Sequence, residues 1–136
     1  MRFFMVDLLN AYNATEYKVY SPAIVIKIGI GNQVLNDLLI SLNVSTWAYI
    51  TAFNPFSKIL TESENFKRHE ELKVKIGNYK YFEGEGVGED KTWKPEISFL
   101  IVGISLNDAI GIGKFYEQNA IVVGEINGVP ELKILV

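Results

Sequence analysis

The strongest constraint on this fold is a nearly continuous apolar run from Ile97 to Ile104. A strand with one face in solvent alternates apolar and polar residues, whereas a strand covered on both faces is apolar throughout. The run therefore predicts a central strand, buried on both sides. An amphipathic helix over 32–43 is predicted to lie on the sheet, since its apolar side chains recur at helical spacing. They are Val34, Leu35, Leu38, Leu39 and Leu42.

Strands and helices alternate along the rest of the chain. Segments rich in β-branched and aromatic residues predict further strands over 17–28, 46–53, 79–83, 120–126 and 131–135. Helical patterns and start signals predict helices over 1–12, 61–76 and 105–116. We therefore expect an α/β (or α+β) fold in a single domain over 1–136. Its mixed β-sheet should have about five to six strands, covered by about three to four helices.

Three local signals refine this outline. Thr61 and Glu64 have the spacing of a capping box at a helix start. Pro22 predicts a bend or an edge position in its strand, because proline cannot donate a hydrogen bond to a sheet ladder. Residues 84–95 are Gly-rich and acidic, and they predict a loop.

Composition narrows the classes of function. The chain is 49% hydrophobic and 21% charged, which is typical of a globular protein and not of a disordered one. It has 13 basic and 16 acidic residues, a net charge of −3 and no basic run, so it is a poor match for a duplex nucleic-acid binder. It contains no cysteine, which excludes disulfides and cysteine-ligated metals.

The apolar segments are too short for a membrane protein. None approaches the ~20 residues that span a bilayer, and the apolar start of the chain is briefer than a secretory signal requires. We expect a cytoplasmic protein without membrane association. The sequence shows no motif for a cofactor.

The first candidate site follows the strand over 46–53. Asn54 precedes Pro55, which favours extended backbone at Asn54, and Ser57 follows in the same turn. These side chains either face a ligand or satisfy nearby backbone groups, as such residues commonly do in turns.

The second candidate site joins a helix start to the central strand. Glu96 stands where the apolar run begins, and a carboxylate entering a core must be paired, hydrogen-bonded or protonated. Arg68 is its candidate partner and could also bind an anion. Alternatively, Arg68 forms a surface pair with Glu64, four residues earlier on the same helix.

Several other polar residues have two interpretations each. Gln118 and Asn119 lie between a helix and a strand, where they either brace the turn or contact a ligand. His69 is either a general base or a solvated surface residue. Glu85 and Asp90 are candidate ligands for a divalent cation, and the alternative is an acidic connection that binds nothing. The Gly-rich spacing around them does not match a phosphate-binding loop, because four carboxylates would repel phosphate.

The ordered set of motifs resembles the bacterial domain-of-unknown-function 3293 family. The motifs are Thr51-Ala52-x-Asn54-Pro55-x-Ser57, Glu64-Asn65-x-x-Arg68, Gly84-x-Gly86, Asp90, Trp93-x-Pro95-Glu96-x-Ser98-Phe99 and Phe115-x-x-Gln118-Asn119-Ala120. The resemblance implies a small bacterial protein and supplies no catalytic roles. The segment Asp90-Lys91-Thr92 departs from the family pattern, which has an Asp-Pro-like segment before the tryptophan.

Three functions remain open from the sequence. The first is a small-ligand or nucleotide-like binding module with a polar cleft of one arginine and side-chain amides. The second is a protein-interaction or regulatory protein, which could form an oligomer through a sheet edge with exposed aromatic residues. The candidates for that edge are Tyr17, Tyr20, Tyr79, Tyr81 and Trp93. The third is a divalent-metal-dependent hydrolase or nuclease. The candidate ligand-binding residues are Asn54, Ser57, Asn65, Arg68, Glu96, Gln118 and Asn119.

Overall fold

A computed structural model describes residues 5–136, which form a seven-stranded sheet with helices on both faces. The strands are β1 (Glu16–Val19), β2 (Ile24–Ile26), β3 (Thr46–Thr51), β4 (Lys80–Val87), β5 (Glu96–Val102), β6 (Ala120–Glu125) and β7 (Glu131–Ile134). The α-helices of this part of the chain are α1 (Met5–Asn13), α2 (Gln33–Ser41), α3 (Glu62–Lys75) and α4 (Leu106–Phe115). Residues 1–4 of the helix predicted over 1–12 lie outside the described residues.

The order of the strands is β2-β1-β4-β5-β3-β6-β7, which places β5 at the centre, as its apolar run predicted. Every neighbouring pair is antiparallel, so the predicted mixed sheet is wrong. The reason lies in the two helical crossovers. Helix α3 joins β3 to β4, but β5 lies between these strands, and α4 joins β5 to β6 with β3 between them. Strands joined through these helices run parallel to each other without being neighbours.

The sheet has one strand more than the five to six predicted, because the segment over 17–28 folds back on itself. Its halves form β1 and β2, with Pro22 in the turn and Val19 paired with Ile24. The loop predicted over 84–95 is also wrong in its first part, since β4 continues to Val87. β1 comes so close to β4 that a Cβ atom on Gly84 would lie 1.8 Å from the carbonyl oxygen of Lys18.

Two apolar cores lie on opposite faces of the sheet because successive strand residues point to opposite sides. Ile50, Phe99 and Ile101 face α3 and α4, where Leu72 and Ile112 pack on them. The other face buries a second cluster against α2: Trp47, Tyr49, Leu100 and Val102 with Leu35 and Leu39.

The helix starts are fixed by side-chain caps. The capping box of Thr61 and Glu64 is present at α3, and Asn32 and Ser105 cap α2 and α4 by accepting hydrogen bonds from backbone amides. Within residues 5–136, no helix combines the length and the apolar character that crossing a membrane requires.

Candidate functional site

A cavity of about 460 Å³ lies between α1 and the sheet face that α2 covers elsewhere. Helix α1 forms one wall with Leu8, Ala11 and Tyr12, and the sheet contributes Tyr49 and Ser98, among others. Polar residues from three separate loops complete it: Asn54, Ser57, Trp93, Gln118 and Asn119. Its volume is in the range of about 300–1,000 Å³ that is usual for small-molecule sites.

The Glu96 carboxyl group is the most unusual group in this cavity. Asn54 Nδ2 donates a hydrogen bond to Glu96 Oε2 at 2.7 Å, and Trp93 Nε1 donates to the same oxygen at 3.3 Å. Oε1 accepts no hydrogen bond from the described residues. Burial raises the pKa of Glu96, against the opposing effect of its bonds from Asn54 and Trp93. One carboxyl oxygen is thus fixed by two donors, while the other has no donor among the described residues.

Asn54 is held in place from the other side by Asn65. The Asn54 backbone amide donates to Asn65 Oδ1, and Asn65 Nδ2 donates to Asn54 Oδ1, each at 2.9 Å. Asn65 is buried on α3 behind the cavity and does not line it. It therefore positions Asn54, which in turn positions Glu96.

The loop after β3 has a left-handed backbone at three residues without glycine. Asn54, Phe56 and Ser57 have φ angles of 48°, 52° and 60°. The extended backbone expected for Asn54 is wrong, because its amide and side chain are bonded in the left-handed form, which asparagine tolerates. Such residues cost on the order of 1–3 kcal/mol each and often occur at ligand sites.

A second loop, between α4 and β6, supports the first. Gln118 Nε2 donates to the carbonyl oxygens of Phe53 and Tyr116 at 3.0 and 3.1 Å. Asn119 Nδ2 donates to Ser57 Oγ at 2.9 Å. Both amides brace the turns, and both also line the cavity.

Arg68 lies away from the cavity, so its predicted pairing with Glu96 is wrong. Its Nε donates to Ala52 O at 2.7 Å, its Nη2 donates to Tyr116 O, and its Nη1 lies 3.7 Å from Glu117 Oε1. The guanidinium donates to carbonyl groups where β3 and α4 end, and the Tyr116 carbonyl also accepts from Gln118. The structure thus gives Arg68 an architectural position, and Glu96 obtains its donors from neutral side chains.

A family model described as "Protein of unknown function (DUF3293)" matches residues 50–121, more than half of the chain. The chain belongs to this family. The match confirms the resemblance seen in the sequence, and no curated protein or solved structure matches the chain. The DUF3293 segment carries all seven candidate ligand-binding residues, of which five line the cavity: Asn54, Ser57, Glu96, Gln118 and Asn119.

His69, also in the DUF3293 segment, lies on the opposite face of the sheet from the cavity. It is buried, and its ring stacks on Phe99 with 4.3 Å between centroids. Its Nε2 lies 3.3 Å from Glu83 Oε2. The solvated surface position considered for His69 is therefore wrong, and this imidazole does not reach the DUF3293 cavity.

The two candidate metal ligands of the DUF3293 segment lie in different surroundings. Glu85 accepts a hydrogen bond from the Tyr20 hydroxyl at 2.9 Å, whereas Asp90 lines the cavity and accepts two from Thr92. These bonds from Thr92 lower the pKa of Asp90. Residues 5–136 contain no group of three or more histidine or acidic side chains that could hold a metal ion.

The sequence interpretation missed the cavity residues outside the loops. Tyr17, predicted at an exposed edge, is buried in the second core, and Tyr12 lies in a helix with no motif in the DUF3293 pattern. The position of Ser98 could have been predicted from the sequence. Glu96 and Ser98 are two residues apart in an apolar strand, so their side chains lie on the same face of the sheet. The sequence of α1 does not indicate that this helix covers the sheet face of Glu96 and Ser98.

Proposed function

We propose that this protein is a binding module for a small molecule, which occupies the cavity between α1 and the sheet. The observation that carries the proposal is the convergence of polar groups from distant segments on a preformed, mostly apolar cavity. The proposal keeps the function inferred from the sequence but relocates its polar cleft. The cleft contains Glu96 and side-chain amides, and it does not contain Arg68.

The organisation of the loops supports a binding role over a purely structural one. The left-handed residues at Asn54, Phe56 and Ser57 destabilise the fold, yet their bonds hold Asn54 and Ser57 at the cavity wall. A loop with no ligand to position could relieve this strain with glycine. The Glu96 carboxyl also lines the cavity, where a ligand would meet it.

The phosphate-bearing form of the nucleotide-like hypothesis fits the cavity less well. A phosphate group is usually bound by arginine, lysine or bare backbone amides at a helix start. The described lining has no arginine or lysine, and it includes the acidic side chains Glu89, Asp90 and Glu96. The interaction hypothesis, in which the edge strands β2 and β7 bind another chain, stays a prediction.

A fragment screen by NMR tests the proposal directly. Chemical-shift changes in the presence of a fragment library should cluster at β3, β5 and α1. Ala11 lines the cavity from α1, and Ala11→Phe would fill part of the cavity without altering the sheet. Asn13→Phe is the matched control, because Asn13 is exposed on the same helix and does not line the cavity. We expect Ala11→Phe to abolish fragment binding and Asn13→Phe to preserve it. Equal binding to both variants would refute the cavity as the site.

A further inference from the structure

The cavity has a one-sided charge distribution. Its described lining contains three carboxyl groups, on Glu89, Asp90 and Glu96, and it contains no lysine, arginine or histidine. The guanidinium of Arg68, which does not line the cavity, is bound to two backbone carbonyls and lies beside Glu117. An anionic ligand would therefore find no positive side chain in the described lining, and it would face three acidic groups.

The free oxygen of Glu96 adds a directional preference. Both donors among the described residues, Asn54 and Trp93, bind Oε2, which leaves Oε1 without a donor from this part of the chain. An ionised carboxyl oxygen only accepts hydrogen bonds, so it binds a group that carries N–H or O–H donors. A cationic donor makes a shorter and stronger bond to it than a neutral one.

The described lining also includes the aromatic side chains of Tyr12, Tyr17, Tyr49 and Trp93. Tyr17 and Tyr49 pack edge to face with 5.4 Å between ring centroids. Their hydroxyl groups are already engaged, since each donates to a backbone carbonyl at 2.9 and 2.6 Å respectively. The Trp93 N–H is engaged by Glu96. These residues therefore offer ring surface to a ligand, and ring faces attract organic cations.

We propose that the ligand of this cavity is a small organic cation, whose amine, amidine or guanidine nitrogen binds Glu96 Oε1 and whose apolar part contacts the Tyr17 and Tyr49 rings. This inference rests on the proposed function, which places a small molecule in the cavity. It adds the charge class of that molecule.

A cation would offset the cost of burying Glu96. Burial raises the pKa of Glu96, because it disfavours the ionised form of the carboxyl group. A bound cation would stabilise that ionised form. The other titratable groups that share the cavity are Tyr12, Tyr17, Tyr49, Glu89 and Asp90. Burial raises the pKa of each of the three tyrosines, so they stay neutral near neutral pH.

Benzamidine, benzamide and benzoate form a matched set of probes, because they share one shape and differ in charge. We expect calorimetry at neutral pH to show benzamidine binding about tenfold or more tightly than benzamide, with benzoate weakest. Glu96→Gln keeps the size of the side chain and an acceptor for Asn54. The Glu96→Gln variant should bind benzamidine only as tightly as it binds benzamide. Glu131→Gln, the same change at an exposed residue of β7, should leave all three affinities unchanged.

The outcomes separate the two proposals. Benzoate or benzamide binding as tightly as benzamidine, or benzamidine binding that survives Glu96→Gln, would overturn the cationic ligand. Failure of all three probes to bind at millimolar concentration would overturn it as well. If neutral or anionic fragments bind the unaltered protein and do not bind the Ala11→Phe variant, the cavity remains a binding site and only the charge class is wrong. If no fragment of any charge binds, the proposed function itself fails.

Discussion

Arg68 should stabilise the fold and contribute nothing directly to the cavity. Its guanidinium donates to the carbonyl oxygens of Ala52 and Tyr116, at the ends of β3 and α4. Hydrogen bonds to a charged group contribute about 1.5–3 kcal/mol each, so the pair is worth roughly 3–6 kcal/mol. The Arg68 side chain is 21% exposed, which favours the lower end, at about 3 kcal/mol. Arg68→Met keeps the aliphatic packing and leaves both carbonyls without this donor.

Thermal unfolding followed by circular dichroism measures this loss. The entropy of unfolding is about 2.1 cal/mol/K per residue, which for this length converts about 3 kcal/mol into a Tm decrease of about 10 °C. Arg68→Lys keeps the charge but cannot reach both carbonyls in the same fork geometry, so we expect roughly half of that decrease. Glu117→Gln is the control for the exposed ion pair, and it should cost under about 1 kcal/mol.

The opposite result would restore Arg68 as a ligand-binding residue. If Arg68→Met unfolds within about 2 °C of the unaltered protein and no longer binds cavity fragments, the architectural interpretation of Arg68 is refuted. A large Tm decrease, with fragment binding retained well below that Tm, supports it.

Three further predictions concern the local structure. Gly84→Ala should prevent folding or lower Tm strongly, because its Cβ would lie 1.8 Å from the Lys18 carbonyl oxygen. Gly86→Ala should fold normally, because the nearest atoms to its Cβ would lie 3.9 and 4.0 Å away. A Gly84→Ala protein with unchanged Tm would contradict the close approach of β1 and β4. At a pH above the raised pKa of Glu96, the Glu96→Gln variant should be more stable than the unaltered protein. At a pH below the ordinary pKa of 4.5, the two proteins should be equally stable. The folded chain holds that proton more tightly than the unfolded chain, so stability falls as pH rises through this window. Denaturant titrations at several pH values measure this, and a difference independent of pH would refute the buried carboxyl. Thr61→Ala removes the α3 cap and should cost about 1 kcal/mol by the same assay; no loss would mean that the cap does not contribute.

The sequence determined the elements whose signals are local. The apolar run from Ile97 predicted a central strand, and β5 is central. The capping box at Thr61 predicted the start of α3, which begins at Glu62. These predictions succeed because burial on both faces and amide capping each depend on a few adjacent residues. The polar residues later found in the cavity loops were also identified, since Asn54, Gln118 and Asn119 stand at strand and helix ends.

The tertiary structure alone decided which of these groups meet. Charge suggested that Arg68 would pair with Glu96, but the backbone carbonyls where β3 and α4 end take the guanidinium. Glu96 instead receives neutral donors, and α1 covers the sheet face beside it. A sequence lists donors and acceptors without distances, and pairing depends on which partners the packed chain brings within about 3 Å. The register of β1 against β4 and the placement of α1 are long-range outcomes of packing, and they create the cavity.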